Sequence, residues 1–261
     1  LYVRQREDAR IEVFSLDYGD RLRMFDTQGR QRSSRHWSSK VRCIAVGDVE
    51  GIDHDALVGG VGKRLVVVNH CGDPIWNLRL ESEVIACDAR DVDGDDAAEI
   101  AVALQNRRVI LWNDDKTALF SRTCDNPVAG IGLEDITNDH ELEVLIADRR
   151  GNIHIISAAG YLLRTVNLGS SLRVFGVLSF GERRMFVAGD HSSVLRLWNL
   201  RGDQIGFLEL SAPPKALATG MPDDVSDTAY LVVSTGDRRV HFWRISESTE
   251  LTHQERMVLD E

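Results

Sequence analysis

The stretch Arg90–Asn113, RDVDGDDAAEIAVALQNRRVILWN, decides how this chain is read. It opens on an acidic loop, DVDGDD, runs through AEIAVAL, turns at QNRR and closes on a second run, VILWN. Short apolar runs bounded by polar turns are strand material, and the apolar spacing i, i+3, i+4, i+7 of an amphipathic helix is missing. Aligning the chain on the residue that closes the second run gives Phe25, Val68, Trp112, Ile156, Trp198 and Trp243, at spacings of 43, 44, 44, 42 and 45. The next residue is polar each time (Asp26, Asn69, Asn113, Ser157, Asn199, Arg244), and Gly29, Gly72, Gly160 and Gly202 follow three positions later in four repeats. A period of this length, built of short strands and polar turns, is the signature of a four-stranded propeller blade. The expected fold is therefore all-β, a β-propeller of four-stranded blades with six repeats visible, either a ring of six or part of a seven-bladed ring.

The repeats divide a single domain, 1–261, at about 1–40, 41–83, 84–127, 128–171, 172–213 and 214–261. With strands named A to D along each repeat, the first has B at Arg10–Leu16, C at Arg21–Phe25 and D around Gln31–Trp37. Its A strand, at the usual spacing, would begin before Leu1. Leu259 lies fifteen residues after Arg244, where an A strand for the first repeat or for a further blade should start. The expectation is an excised segment of a longer chain, closing by a mixture of terminal strands or by a flanking seventh blade. Closure matters because an open ring leaves two unpaired strand edges. The fifth repeat has a short A–B link, SFGERR, with no acidic loop.

At 43% hydrophobic and 28% charged residues the chain is ordinary globular material. No apolar run approaches the roughly 18 residues that would cross a bilayer. A net charge of −10 argues against a general affinity for nucleic acid or anionic lipid. Cys43, Cys71, Cys87 and Cys124 show no C-x-x-C spacing and read as reduced, structural thiols. No N-x-S/T sequon occurs, which leans toward an intracellular setting. Catalytic patterns are missing too: no G-x-S-x-G, P-loop, G-x-G-x-x-G or H-E-x-x-H. Asp190-His191-Ser192-Ser193 reads as a turn, because triad residues converge in space rather than in sequence. Arg201-Gly202-Asp203 contains the recurrent turn glycine, and Trp76 stands in one repeat only. The A strands CIAV, GIGL and ALATG are small and apolar, poor walls for an active site.

In the third repeat Asp91, Asp93, Asp95 and Glu99 occupy loop positions 1, 3, 5 and 9, with the Ala97 carbonyl at position 7. Alternate carboxylates plus one carbonyl are the hard oxygen ligands that Ca²⁺ takes at about 2.3–2.6 Å. The D-x-D-G-D pattern followed by E-I resembles the FG-GAP repeat of integrin α-subunit propellers. It is more similar still to the degenerate version in intracellular propellers of the BBSome type. The endings Leu111–Asn113 and Leu197–Asn199, LWN, also resemble the W-D ending of WD40 blades. The resemblance implies a scaffold within a multi-subunit intracellular complex and a candidate Ca²⁺ site in the third-repeat loop. The chain departs from the pattern at position 6, where Asp96 replaces the usual Gly, and at position 9, where Glu99 replaces Asp. The second loop has Asp48 and Glu50 but Ile52 and Ala56 at positions 5 and 9. The fourth reads Asp135, Thr137, Asp139, Glu143, and the sixth keeps Asp223, Asp224 and Asp227 without the spacing. Two readings stay open: a bound Ca²⁺, or self-hydrogen-bonded turns inherited from a metal-binding ancestor.

The B–C turns carry the opposite charge: Asp20-Arg21, Lys63-Arg64, Arg107-Arg108, Arg149-Arg150, Asp190-His191 and Arg238-Arg239. They read either as solvated hairpin tips or as a basic surface for an acidic partner. The expected function is a non-catalytic, cytoplasmic protein-interaction scaffold needing no cofactor, with other protein subunits as partners, no nucleic acid and no membrane insertion. The alternatives are a Ca²⁺-dependent extracellular adhesion or lectin-like propeller, and a propeller enzyme of quinoprotein or lyase type.

Overall fold

The computed structural model describes residues 2–5, 11–16, 21–26, 30–36, 41–49, 56–69, 74–180, 183–220, 228–246 and 252–258. Among these residues every helix or strand is a strand, and the strands form six four-stranded antiparallel sheets. The first sheet is β1 (Tyr2–Gln5), β2 (Ile11–Leu16), β3 (Arg21–Asp26) and β4 (Gln31–His36). The second is β5 (Val41–Gly47), β6 (Ala56–Val61), β7 (Arg64–Val68) and β8 (Pro74–Arg79). The third is β9 (Val84–Arg90), β10 (Glu99–Leu104), β11 (Arg108–Trp112) and β12 (Ala118–Thr123). The fourth is β13 (Val128–Glu134), β14 (Glu143–Asp148), β15 (Asn152–Ile156) and β16 (Leu162–Asn167). The fifth is β17 (Val174–Phe180), β18 (Arg183–Gly189), β19 (Val194–Trp198) and β20 (Gln204–Glu209). The sixth is β21 (Pro214–Gly220), β22 (Thr228–Thr235), β23 (Arg239–Ser246) and β24 (Thr252–Val258). Each sheet is a meander in chain order.

Burial explains the composition of the strands. The B strands β10 (EIAVAL) and β14 (EVLIAD) are buried at every position, because both faces of the sheet are covered there. They are accordingly almost continuously apolar rather than alternating. The D strands β12 (ALFSRT) and β16 (LLRTVN) are mostly exposed and more polar.

The C–D turns share one backbone. Lys116, Gly160 and Gly202 sit at φ 70°, 86° and 93°. Their amides bond back to the carbonyls of Asn113, Ser157 and Asn199 at 3.0, 2.8 and 3.0 Å. This left-handed position is why glycine recurs there, and Lys116 holds it without one.

The chain forms two compact units, residues 39–170 and residues 1–38 with 171–261. In the first, β5 packs on β9 and β9 on β13, so the second, third and fourth sheets follow one another. Ala101, Ala103, Val109 and Leu111 of the third sheet pack with Val144, Ile146 and Ile156 of the fourth. In the second unit β17 packs on β21 and β21 on β1. Leu178, Val187 and Leu197 of the fifth sheet pack with Leu231, Trp243 and Ile245 of the sixth. Phe25 of the first sheet joins Ala218, Val232 and Val240 of the sixth.

Two expectations are corrected here. The A strand of the first repeat lies within the chain: β1 pairs with β2, Tyr2 opposite Phe14 and Gln5 opposite Ile11. Its link to β2 is shorter than the acidic loop of the third sheet, so spacing borrowed from other repeats overshoots. Among the described residues no sheet mixes N- and C-terminal strands, since β24 pairs with β23 as an ordinary D strand. In the fifth repeat most of SFGERR is strand, with Ser179 opposite Arg184 and Phe180 opposite Arg183.

Candidate functional site

Asp91 organises the loop between β9 and β10. Its Oδ1 accepts the Gly94 N–H at 2.7 Å and its Oδ2 the Asp96 N–H at 3.0 Å, while Asp95 Oδ1 accepts the Ala97 N–H at 2.9 Å. Gly94 and Asp96 take φ of 81° and 70°. Asp96 thus adopts a left-handed conformation, one that Asp tolerates better than most residues. Glu99, the first residue of β10, is fully buried. Its Oε2 accepts the Val92 N–H at 2.7 Å, and its Oε1 is buried with no hydrogen-bond partner. Burial, opposed by the Val92 bond and reinforced by the charges of Asp93, Asp95 and Asp91, raises Glu99 to about 7. Desolvation and then the Asp95 charge raise Asp93 as well.

Carboxylate oxygens of Asp91, Asp93 and Glu99 lie within 4.8 Å of one another. Of the four carboxylates expected as ligands from the sequence, the fold thus brings three together. The Asp95 carboxylate is engaged within the loop, and Ala97 is buried. Oxygens that bind one Ca²⁺ at about 2.4 Å can stand up to about 4.8 Å apart, so the three carboxylates fit such an ion. The unpartnered Glu99 oxygen is an atom such an ion would satisfy.

The loop between β13 and β14 follows the same path. Asp135 Oδ1 accepts the Asn138 and Asp139 N–H groups at 2.6 and 3.2 Å, and its Oδ2 accepts the His140 N–H at 3.0 Å. Asn138 and His140, at φ 62° and 70°, take the places of Gly94 and Asp96. Glu143 Oε2 accepts the Ile136 N–H at 2.8 Å. The difference is at position 3, where Thr137 Oγ1 donates to Glu143 Oε1 at 3.2 Å. Burial raises Glu143 too, but the Ile136 and Thr137 bonds oppose it. In the second sheet the Asp48 carbonyl accepts the Ala98 N–H at 2.6 Å, tying that loop to the third. Ala56 begins β6, while Glu50, Ile52, Asp223, Asp224 and Asp227 lie outside the described residues.

The basic turns sit at the opposite ends of these strands and are held by backbone bonds to the links between sheets. Gln105, Arg149 and Gly236 donate to the Glu83, Pro127 and Pro213 carbonyls at 2.8, 2.8 and 3.0 Å. Leu80, Cys124 and Leu168 donate to the Lys63, Arg107 and Gly151 carbonyls at 2.8, 2.9 and 2.8 Å. The basic pairs are not equivalent. Arg107, Gly151 and Arg238 share the left-handed position (φ 73°, 92°, 65°), so Arg149 and Arg150 stand where the third sheet has Gln105 and Asn106. Arg108 is half-buried and committed: its Nε donates to Ser121 Oγ at 2.6 Å and its Nη1 pairs with Glu81 at 3.0 Å. Hydrogen bonds from Asn106 and then Arg108 lower Glu81. Arg107 donates to the Asp125 carbonyl at 2.9 Å, and Arg239 lies 3.5 Å from Asp237. Lys63, Arg64, Arg149 and Arg150 are exposed and make no ion pair among the described residues. Arg21 and Arg238 are exposed too, each with an interaction of its own.

Sequence reasoning passed over the inner strands of the third and fourth sheets, which are not wholly apolar. Asp88 accepts the Leu133 N–H at 2.8 Å, bridging β9 to β13, and burial raises it despite Arg90 nearby. Arg90 lies 3.4 Å from the buried Glu134. The signal was present in β9, whose VIACDAR is the one A strand with alternate polar residues near its end.

No family model and no curated protein matches this sequence. Solved structures do match in shape. A crystal structure of BBS1N in complex with ARL6DN is similar with a TM-score of 0.65 at 14% identity, covering 95% of this chain and 80% of that one. A second crystal of that complex gives 0.65 at 13%, covering 95% and 82%. The Neurospora crassa Pan2 WD40 domain gives 0.59 at 10%, covering 92% of this chain and 74% of that one. The fold is a β-propeller. At these identities the likeness extends to the fold alone.

Proposed function

We propose that the chain is a non-catalytic interaction platform, a cytoplasmic propeller working within a multi-subunit protein assembly. The observation that carries this reading is the set of exposed cations Lys63, Arg64, Arg149 and Arg150, mounted on backbone-clamped turns at one end of the second and fourth sheets. Pre-positioned charges on a rigid backbone favour a complementary acidic partner at little ordering cost. BBS1N, similar in fold, is crystallised with a protein partner, ARL6DN. The net charge of −10 speaks against nucleic acid as the target.

The test is affinity capture with wild type and with Lys63, Arg64, Arg149 and Arg150 all changed to Glu. The variant should lose a stoichiometric acidic partner while its thermal melt is unchanged. Identical capture by both proteins would retire the platform reading of these turns. Arg108 is left intact because its ion pair with Glu81 is structural.

A second reading concerns the third-blade loop. Asp91, Asp93 and Glu99 would hold a divalent cation, supplying charge neutralisation and stiffness rather than chemistry, and the buried, unpartnered Glu99 oxygen favours it. A cation bound to the native state raises the melting midpoint, so Ca²⁺ should raise it and EGTA reverse the rise. Coincident melts would leave the loop as a self-bonded turn.

A further inference from the structure

Two thiols face each other between the second and third blades. Asp88 bonds toward β13, so strand alternation turns its neighbour Cys87 to the other face of β9, toward β5. A Cβ added at Gly47 would meet Ala98 Cβ at 2.9 Å and Ala89 Cβ at 3.2 Å, so Gly47 and the alternate residues Ala45 and Cys43 face the third blade. Gly60, paired with Cys43, leaves the space the sulfur needs: a Cβ there would stand 2.7 Å from Cys43 Sγ and 2.8 Å from Val84 Cγ1. Cys43 and Cys87 are both half-buried and free, and they stand on the facing sides of the packed strands β5 and β9. By contrast Cys124 is buried in the core between the third and fourth blades.

We propose that Cys43 and Cys87 are a cross-blade dithiol that a small-molecule disulfide oxidises to a covalent bridge between the second and third blades. Burial beside the Cys43 thiol holds the Cys87 proton in place, and the exchange is proposed to begin at Cys43. Its thiolate attacks one sulfur of RS–SR, forms a mixed disulfide and expels RS⁻, which takes up the proton Cys43 released. Cys87 then gives up its proton, attacks the Cys43 sulfur and expels the second RS⁻. Two protein thiols are oxidised and one small disulfide is reduced to two thiols. The bridge forms between strands already in contact, without unfolding either sheet, and it lies on the strand that leads directly into Asp91.

The experiment uses the folded wild-type chain in glutathione buffers of rising oxidised fraction. Samples are quenched in acid, unfolded, alkylated with iodoacetamide and weighed. Oxidation should protect two of the four cysteines with no added glutathione mass, and a non-reduced digest should contain one peptide joining Cys43 to Cys87. Dithiothreitol should restore four alkylations. The Cys87→Ser variant should stop at a single glutathione adduct on Cys43. Alkylation of all four thiols, an adduct on wild type that never resolves, or a bridge to Cys71 or Cys124 would overturn the assignment. The wild-type digest decides the matter alone if the variant fails to fold.

Discussion

The loop between β9 and β10 and the loop between β13 and β14 follow one path residue by residue, yet only the second completes its carboxylate network. In both, an aspartate at position 1 gathers the loop amides and a buried glutamate at position 9 accepts the position-2 N–H. Position 3 separates them. Thr137 gives the second oxygen of Glu143 a donor, while Asp93 gives that of Glu99 another negative charge. A buried carboxylate oxygen without a donor is unfavourable, and here the burden is met by a proton or a cation. One side chain, with the backbone unchanged, turns a closed turn into a charged cradle.

The largest expected effect tests the closed loop. Glu143→Ala removes the acceptor of the buried Ile136 N–H and should cost about 3 kcal/mol, read by urea denaturation. Glu99→Ala should cost clearly less, because it also relieves an unpartnered oxygen; equal losses would break the contrast. Glu99→Gln should instead stabilise, by roughly 2 kcal/mol at pH 8. The folded-state value of about 7 stands above the ordinary 4.5, so the folded state holds the proton longer than the unfolded state does. Wild type therefore loses stability as pH rises from about 4.5 to 7, and the advantage of Gln develops over that window and is level above it. A gain equally large at pH 4 would contradict the sign.

Exchanging position 3 sharpens the comparison further. Asp93→Thr should stabilise the third-blade loop by about 1 kcal/mol and abolish any Ca²⁺-dependent rise in Tm. Thr137→Asp should open the fourth loop and confer such a rise; no exchange of behaviour would mean that position 3 is not decisive. The smallest effect concerns what the loops share. Asp96→Gly and His140→Gly occupy matching left-handed positions and should each gain about 0.5 kcal/mol, to the same extent in both loops. Lys116→Gly should gain less, since the Lys116 ammonium also sits 5.3 Å from the Trp76 ring.

Much of the blade pattern was legible because it rests on local rules. Trp112, Trp198 and Trp243 keep one register: each stands three residues after the C-strand residue that pairs with Ala103, Gly189 or Ser234. They differ in depth, with Trp198 and Trp243 buried and Trp112 half-buried, which follows from neighbouring sheets rather than from period. The acidic loop was visible as a motif, but not that the carboxylates of Asp91, Asp93 and Glu99 would be the three to stand together. The basic pairs looked alike as letters, yet a left-handed residue falls on Arg107 in one turn and on Gly151 in another, shifting the arginines by two positions. The thiol pair was unreadable, since its members stand on different blades.

The sequence by itself determined the strands, the turns and their period, because alternation, turn residues and left-handed positions act over a few neighbouring residues. It also placed the acidic loops and the basic turns of the third and fourth repeats at opposite ends of their strands. Only the tertiary structure decided that β1 belongs to the first sheet, that Glu99 keeps an unpartnered oxygen, and that Cys43 meets Cys87. Those outcomes depend on desolvation and on which strand lies beside which, and both arise from contacts between residues far apart along the chain.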